Sequence, residues 1–248
     1  MTFSQAALLA AASVGAGIIN AIAGGGTLLT FPALLSAGMP PVTANATNTL
    51  ALWSGQLSGA WAYRSHIGDE RARAISLAIP SVIGGVIGSV LVLAMPERVF
   101  AAVVPWLIVF ACMLLALQGP IKRALASVPG ADHPAALWVV QLLISIYGGY
   151  FGAAMGILML AAMGILLPSS GQHANALKVL FSFLANGAAA VLFLALGAAR
   201  LPEAVLMAVA STLGGYAGAH LAQRLPPAAM RGVAVAVGLY AAGRMLLV

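Results

Sequence analysis

Charge is what this sequence lacks most. Only 6% of its 248 residues are charged, and none precedes Arg64; a soluble domain carries about 25%. The acidic residues are five, Asp69, Glu70, Glu97, Asp132 and Glu203, and all fall at the ends of apolar stretches or between them. That distribution argues against a proton relay of buried carboxylates. Cys112 is the single cysteine and sits in an apolar run, which excludes an internal disulfide and a cysteine-based metal centre. His66, His133, His173 and His220 have no metal-like spacing. No phosphate-binding loop occurs, so the chain does not itself hydrolyse ATP. No Ser/His or acidic pair suggests an enzyme, and no cofactor or metal is expected. The basic residues are scattered singly, without a patch or interleaved aromatics, which speaks against a nucleic-acid partner and for topology signals.

What is present is apolar surface. Hydrophobic residues make up 62% of the chain, and mean hydropathy is +1.04. The runs are continuous, long enough for helices of about 20 residues, and do not alternate as barrel strands do. The expected fold is an all-α polytopic membrane protein, with the lipid bilayer as its first partner. The N-terminal run resembles the apolar core of a signal peptide but has no basic flank. Its glycine end is echoed later in the chain, so it reads as part of the mature fold.

The chain repeats itself at an offset of 130 residues. Ala44-Asn45-Ala46 falls on Ala174-Asn175-Ala176, Leu50 on Leu180, and Ser81 on Ser211. Gly84, Gly85 and Gly88 fall on Gly214, Gly215 and Gly218, Gly26 on Gly156, and Pro96 on Pro226. An apolar chain of two such copies is how many secondary transporters are built, with the substrate site where the copies meet. Five helical segments are expected per copy: 4–22, 27–37, 43–63, 73–94 and 98–118, then 135–151, 155–167, 173–196, 203–222 and 228–247. That gives a first transmembrane repeat over 1–118, a cytoplasmic linker over 119–134 and a second repeat over 135–248, with eight to ten membrane helices, some short or broken. The second segment of each copy is too short to span, is preceded by glycines and is followed by proline, the pattern that points to a transport site. An odd number of crossings per copy inverts the second copy. Arg64, Arg71, Arg73, Lys122, Arg123, Arg224 and Arg231 then gather on one side, read as cytoplasmic, which leaves both termini periplasmic.

Polar residues in the third segments are the candidate chemistry. Asn175, Lys178, Ser182 and Asn186 share one helix face, and the same offsets in the first copy give Asn45, Asn48, Leu52 and Gln56. Amides and hydroxyls are costly in hydrocarbon, so these stripes either face a watered path or hold helices together. Asn45, Asn48 and Gln56 are expected to lie close to Lys178, Ser182 and Asn186 across the pseudo-two-fold axis, near mid-membrane. Lys178 either meets an anion or snorkels to the interface. Gly24, Gly25 and Gly26 before Thr27 either let an anion reach a helix N-terminus or allow close packing. GGxxG at 84–88 and 214–218 reads as packing. The partners are a small anionic substrate and the bilayer, with a homodimer left open.

The stretches AIAGGGTLLTFPALLSAGMPPVTANATNTLALWSGQLSGAWAYR, IPSVIGGVIGSVLVLAMPERVFAAVVPWLIVFACMLLAL and YGGYFGAAMGILMLAAMGILLPSSGQHANALKVL resemble the signatures of the sulfite exporter TauE/SafE family. The resemblance covers essentially the whole chain. It implies a bacterial inner-membrane transporter of sulfite, organosulfonates or related small anions. It also implies functional weight for the glycine break at 24–26 and for the segments at 45–48 and 174–178. Ser65, Val179 and Pro168-Ser169-Ser170 depart from many relatives, which bears on the substrate. The alternatives to an exporter are an anion channel and a scaffold or assembly protein without transport.

Overall fold

The computed structural model describes residues 1–22, 25–126, 133–167, 171–221 and 227–247. These form eleven helices and no strand: α1 (Phe3–Ile22), α2 (Thr27–Ser36), α3 (Pro41–Ala62), α4 (Arg64–Asp69), α5 (Arg71–Ala94), α6 (Glu97–Ala126), α7 (Pro134–Tyr150), α8 (Met155–Leu166), α9 (Gly171–Ala195), α10 (Leu201–Leu221) and α11 (Pro227–Leu246). Proline opens α3, α7 and α11, where its fixed φ suits a first turn and its missing N–H costs nothing. Among the described residues, four helical stretches are long and apolar enough to cross a membrane: Phe3–Asn20, Arg71–Ala94, Glu97–Ile121 and His173–Ala195.

The repeat is visible in the helices. Shifted by 130 residues, α1, α2, α3, α5 and α6 overlie α7, α8, α9, α10 and α11. The copies do not form separate bodies. Instead α5 packs on α7 and α9 of the other copy, and α10 packs in the equivalent way on α1 and α3. Glycine sets these crossings. A Cβ at Gly84 would lie 2.7 Å from the Leu142 carbonyl, and one at Gly85 or Gly88 would strike the backbone of Ala185 or Ile146. On the equivalent face, Gly17 meets Ser211 and Gly214 meets Val14, backbone to backbone. The GGxxG motifs are therefore packing devices, as expected.

The copies run in opposite senses. Gln5 Nε2 donates to the Ala37 carbonyl at 2.8 Å, so the α1–α2 hairpin begins and ends at one end of the molecule. The same end holds Val42 with Glu97 and Thr47 with Arg200. At the other end the His133 N–H donates to the Leu166 carbonyl at 3.4 Å, closing the α7–α8 hairpin there. Asn175 joins Tyr63, and His173 joins Asp69, at that second end. Each copy thus contributes one hairpin and three long helices, and the hairpins enter from opposite ends. With ten residues, α2 covers about 15 Å and cannot span a core of about 30 Å. Both short helices are shielded by protein, as a non-spanning segment in lipid requires. Leu28, Phe31 and Leu34 of α2 and Met159 and Met163 of α8 are fully buried.

Two expectations are corrected. The helix expected to stop at 118 runs on to Ala126 through Gly119 and Pro120, because Ile121 still packs against the core. The segment 64–69, expected as loop, is the short helix α4, which packs on α9 and has no counterpart in the second copy.

Candidate functional site

The two stripes lie on α3 and α9, which cross at the centre of the molecule. The Trp53 ring stacks on Phe183 at 5.5 Å, and its Nε1 donates to the Phe183 carbonyl at 3.1 Å. Trp53 and Phe183 are equivalent positions at the 130-residue offset, so the pseudo-two-fold axis passes between them. Gly187 admits the indole, since a Cβ there would lie 2.8 Å from Trp53 Nε1.

This crossing sets Asn48 and Lys178 apart. Asn48 lies five residues before Trp53, and Lys178 five before Phe183. On antiparallel helices they are displaced in opposite directions, by about 7.5 Å each along the helix. Among the described residues no hydrogen bond joins a member of one stripe to a member of the other. Each stripe instead faces a hairpin break.

In the first copy, Asn48 lies over the start of α2. Its Oδ1 accepts from the Thr30 hydroxyl, and its Nδ2 donates to Thr27 Oγ1 at 3.4 Å. The Thr30 hydroxyl also reaches the Gly26 carbonyl, and the Gly26 N–H donates to Asn20 Oδ1 at 2.7 Å. Gly25 has φ +98°, the left-handed conformation that glycine adopts without strain. A Cβ at Gly26 would lie 2.8 Å from the Ala16 carbonyl. Gly24 lies outside the described residues. The first break is thus a closed set of neutral groups, each answering another.

In the second copy, Lys178 stands where Asn48 stands in the first. Its stem crosses Gly156, the equivalent of Gly26: a Cβ there would lie 3.2 Å from Lys178 Cδ. No carboxylate pairs with Lys178 among the described residues. Ser182 reaches Met159 Sδ at 3.5 Å, and Asn186 Oδ1 faces Gly152, whose φ is +74°. Ala154 is also left-handed, at φ 59°, immediately before α8 begins. Here a positive charge and the N–H end of a buried helix converge, and both favour an anion.

The outer stripe members tie the copies together. Asn45 Nδ2 donates to the Tyr150 carbonyl at 2.9 Å, and Asn175 Nδ2 donates to the Tyr63 hydroxyl at 2.8 Å. Asn45 Oδ1 and Gln56 Oε1 are buried without a hydrogen-bond partner. Asn20 and Thr30 were not among the residues expected at the site. Asn20 is the only amide between Gln5 and Asn45, and an isolated amide beside a glycine break was the signal for it.

A family model described as sulfite exporter TauE/SafE matches residues 9–245. The chain belongs to the sulfite exporter TauE/SafE family. Curated relatives agree. A protein named "Probable membrane transporter protein ORF9" from a Sinorhizobium species is 30% identical over 90% of this chain and 85% of its own length. A "Probable membrane transporter protein" from Haemophilus influenzae is 30% identical over 83% of this chain and 80% of its own. "Probable membrane transporter protein YfcA" from Escherichia coli K12 is 28% identical over 83% and 76%. No solved structure matches the chain. Membership in this family, together with the apolar helices, makes the chain a multi-pass membrane protein of a transporter family.

Proposed function

We propose that the protein is a secondary transporter that exports a small anion, of the class of sulfite, a sulfonate or a related sulfur oxyanion, across the bacterial inner membrane. The observation that carries this reading is Lys178, an ammonium without a carboxylate partner, held across Gly156 at the start of α8. A sulfur oxyanion offers three oxygens to an ammonium and to the N–H groups of one helix turn, and charge-assisted bonds of this kind are the strong ones. Gly24, Gly25, Gly26, Thr27, Asn45, Asn48, Gln56, Asn175, Ser182 and Asn186 complete the proposed path, the first copy supplying neutral hydrogen-bonding groups. Export needs no buried carboxylate. An inside-negative potential supplies about 2.3 kcal/mol per charge per 100 mV to an anion leaving the cell. The second end of the molecule, with Arg64 and Arg71, is then cytoplasmic, and both termini are periplasmic.

Purified protein in proteoliposomes tests this. Sulfite, sulfate, thiosulfate and small sulfonates are offered in turn, with an imposed potential. Saturable flux of one class, accelerated by a potential negative on the side the anion leaves, is the expected result. Flux that rises without saturation, with measurable conductance, would make the protein a channel. No flux of any of them would remove sulfur oxyanions as its substrate.

A further inference from the structure

An open groove of about 340 Å³ runs between α4, α5 and α9 at the second end of the molecule. Arg64 and Arg71 stand at one end of its lining, and Ile75, Ala78, Leu180 and Leu184 form its wall along the membrane helices. We infer that this groove holds one anionic phospholipid, its phosphate between Arg64 and Arg71 and an acyl chain against Ile75, Ala78, Leu180 and Leu184.

Three observations carry this inference. The first is unanswered charge. Arg73 pairs with Glu70 at 2.9 Å, and Arg200 with Glu203 at 3.7 Å. Arg64 and Arg71 have no carboxylate partner among the described residues. Arg64 lies 5.0 Å over the Trp61 ring and donates one bond to the Trp61 carbonyl, which fixes the guanidinium and leaves most of its five donors for a phosphate. The second is the wall. A soluble oxyanion gains nothing from Ile75, which is 59% exposed, whereas a lipid tail buries it. Basic pockets beside membrane helices recognise anionic headgroups in this way. Trp61, also largely exposed, has the interfacial character that marks headgroup depth. The third is asymmetry. At the equivalent positions of the second copy, Arg64 and Arg71 are replaced by Leu194 and Leu201. The lipid site therefore exists once, at the end that holds α4, and not at both. Its wall includes α9, the helix that carries Lys178, so an occupant braces that helix against α4 and α5. The inference does not depend on which anion is transported.

Native mass spectrometry of the whole protein in mild detergent tests it, with chain-matched phosphatidylglycerol and phosphatidylcholine as probes. Wild type is expected to retain phosphatidylglycerol roughly tenfold better, the equivalent of about 1.4 kcal/mol. R64Q/R71Q should lose that preference, and R200Q should keep it. Ala78→Trp fills the groove while leaving both charges, and it should lower phosphatidylglycerol retention as well. Should the double variant fail to fold, Ala78→Trp decides alone. An undiminished preference in R64Q/R71Q, or in Ala78→Trp, would overturn the site. So would inorganic phosphate binding as tightly as the lipid, because the groove would then be an ion site.

Discussion

The two hairpin breaks share a backbone and differ in charge. At the first, Asn48 bonds Thr27 and Thr30, and Asn20 accepts from the Gly26 N–H. At the second, Lys178 occupies the place of Asn48, and Ile157 and Leu160 occupy those of Thr27 and Thr30. Among the described residues no carboxylate at the second break answers the ammonium. A buried polar group without a partner is costly unless something else satisfies it. The first break is answered from within, and under the proposed function an anion answers the second. In the proposed export reading, the two inverted copies offer two breaks of similar geometry but one charged seat, so a single anion is passed rather than two held.

The comparison breaks first if the ends of the molecule do not face opposite compartments. In a background lacking Cys112, cysteine is placed at Ser65, beside α4, and at Ala199, near Arg200 at the other end. An impermeant thiol reagent applied to intact cells should label Ala199→Cys and leave Ser65→Cys untouched. Equal labelling would remove the inversion on which both entrances depend. Labelling in the reverse order would turn the molecule over and place Arg64 and Arg71 outside the cell.

Next in size is the charge itself. Lys178→Ala should lower substrate affinity by roughly 10- to 100-fold, since a charged hydrogen bond contributes about 1.5–3 kcal/mol. Binding to detergent-solubilised protein measures this apart from flux. Unchanged affinity at normal expression would mean that Lys178 only snorkels. Gly156→Val sharpens the same point without touching the lysine. Its Cβ meets a flexible stem at 3.2 Å, so the protein should fold while the ammonium is displaced and affinity falls severalfold to tenfold. Gly26→Val meets the Ala16 carbonyl at 2.8 Å instead. It should lose folded protein rather than affinity, as read by yield on size exclusion.

Most of the architecture was legible from the sequence, because in lipid each helix must satisfy its own backbone and so betrays itself by an apolar run. The short segments at 27–37 and 155–167 emerge at Thr27–Ser36 and Met155–Leu166. The misreadings have physical causes. Gly119-Pro120 reads as a stop, but packing of Ile121 carries α6 past it. Asn48 and Lys178 are equivalent, yet they lie on opposite sides of the crossing. A two-fold axis between antiparallel helices places equivalent residues at mirrored depths, so the equivalent pair that meets is the one beside the axis, here Trp53 and Phe183. The offset could reveal the symmetry, whereas the crossing point depends on which residues are small, and Gly187 decides it. The pairing of Lys178 with Gly156 was likewise hidden, since a linear sequence does not show which hairpin a helix covers.

A smaller effect separates the neutral break from the charged one. Asn48→Ala removes an amide whose partners are Thr27 and Thr30, leaving two hydroxyls that can still bond backbone carbonyls, as Thr30 already does with Gly26. A neutral hydrogen bond contributes about 1 kcal/mol, so flux should fall about fivefold, well short of the Lys178→Ala effect. A loss as large as that of Lys178→Ala would mean that the first break also holds the anion, and the two seats would be alike.

The smallest expected effect lies at the rim of the charged break. Asn175 donates to the Tyr63 hydroxyl at 2.8 Å, one turn before Lys178 on the same helix. The equivalent Asn45 donates instead to a backbone carbonyl, that of Tyr150, which no substitution removes. Tyr63→Phe therefore loosens one end of the path and leaves the other as it was. The cost is a partly exposed neutral bond, about 0.5–1.5 kcal/mol, part of which water recovers. Flux should change by no more than about threefold, with the maximal rate moving and the affinity unchanged, because Lys178 keeps its place over Gly156. A large fall in affinity on Tyr63→Phe would show that α4 and Tyr63 orient the ammonium, and the charged seat would extend from Gly156 to the second end of the molecule.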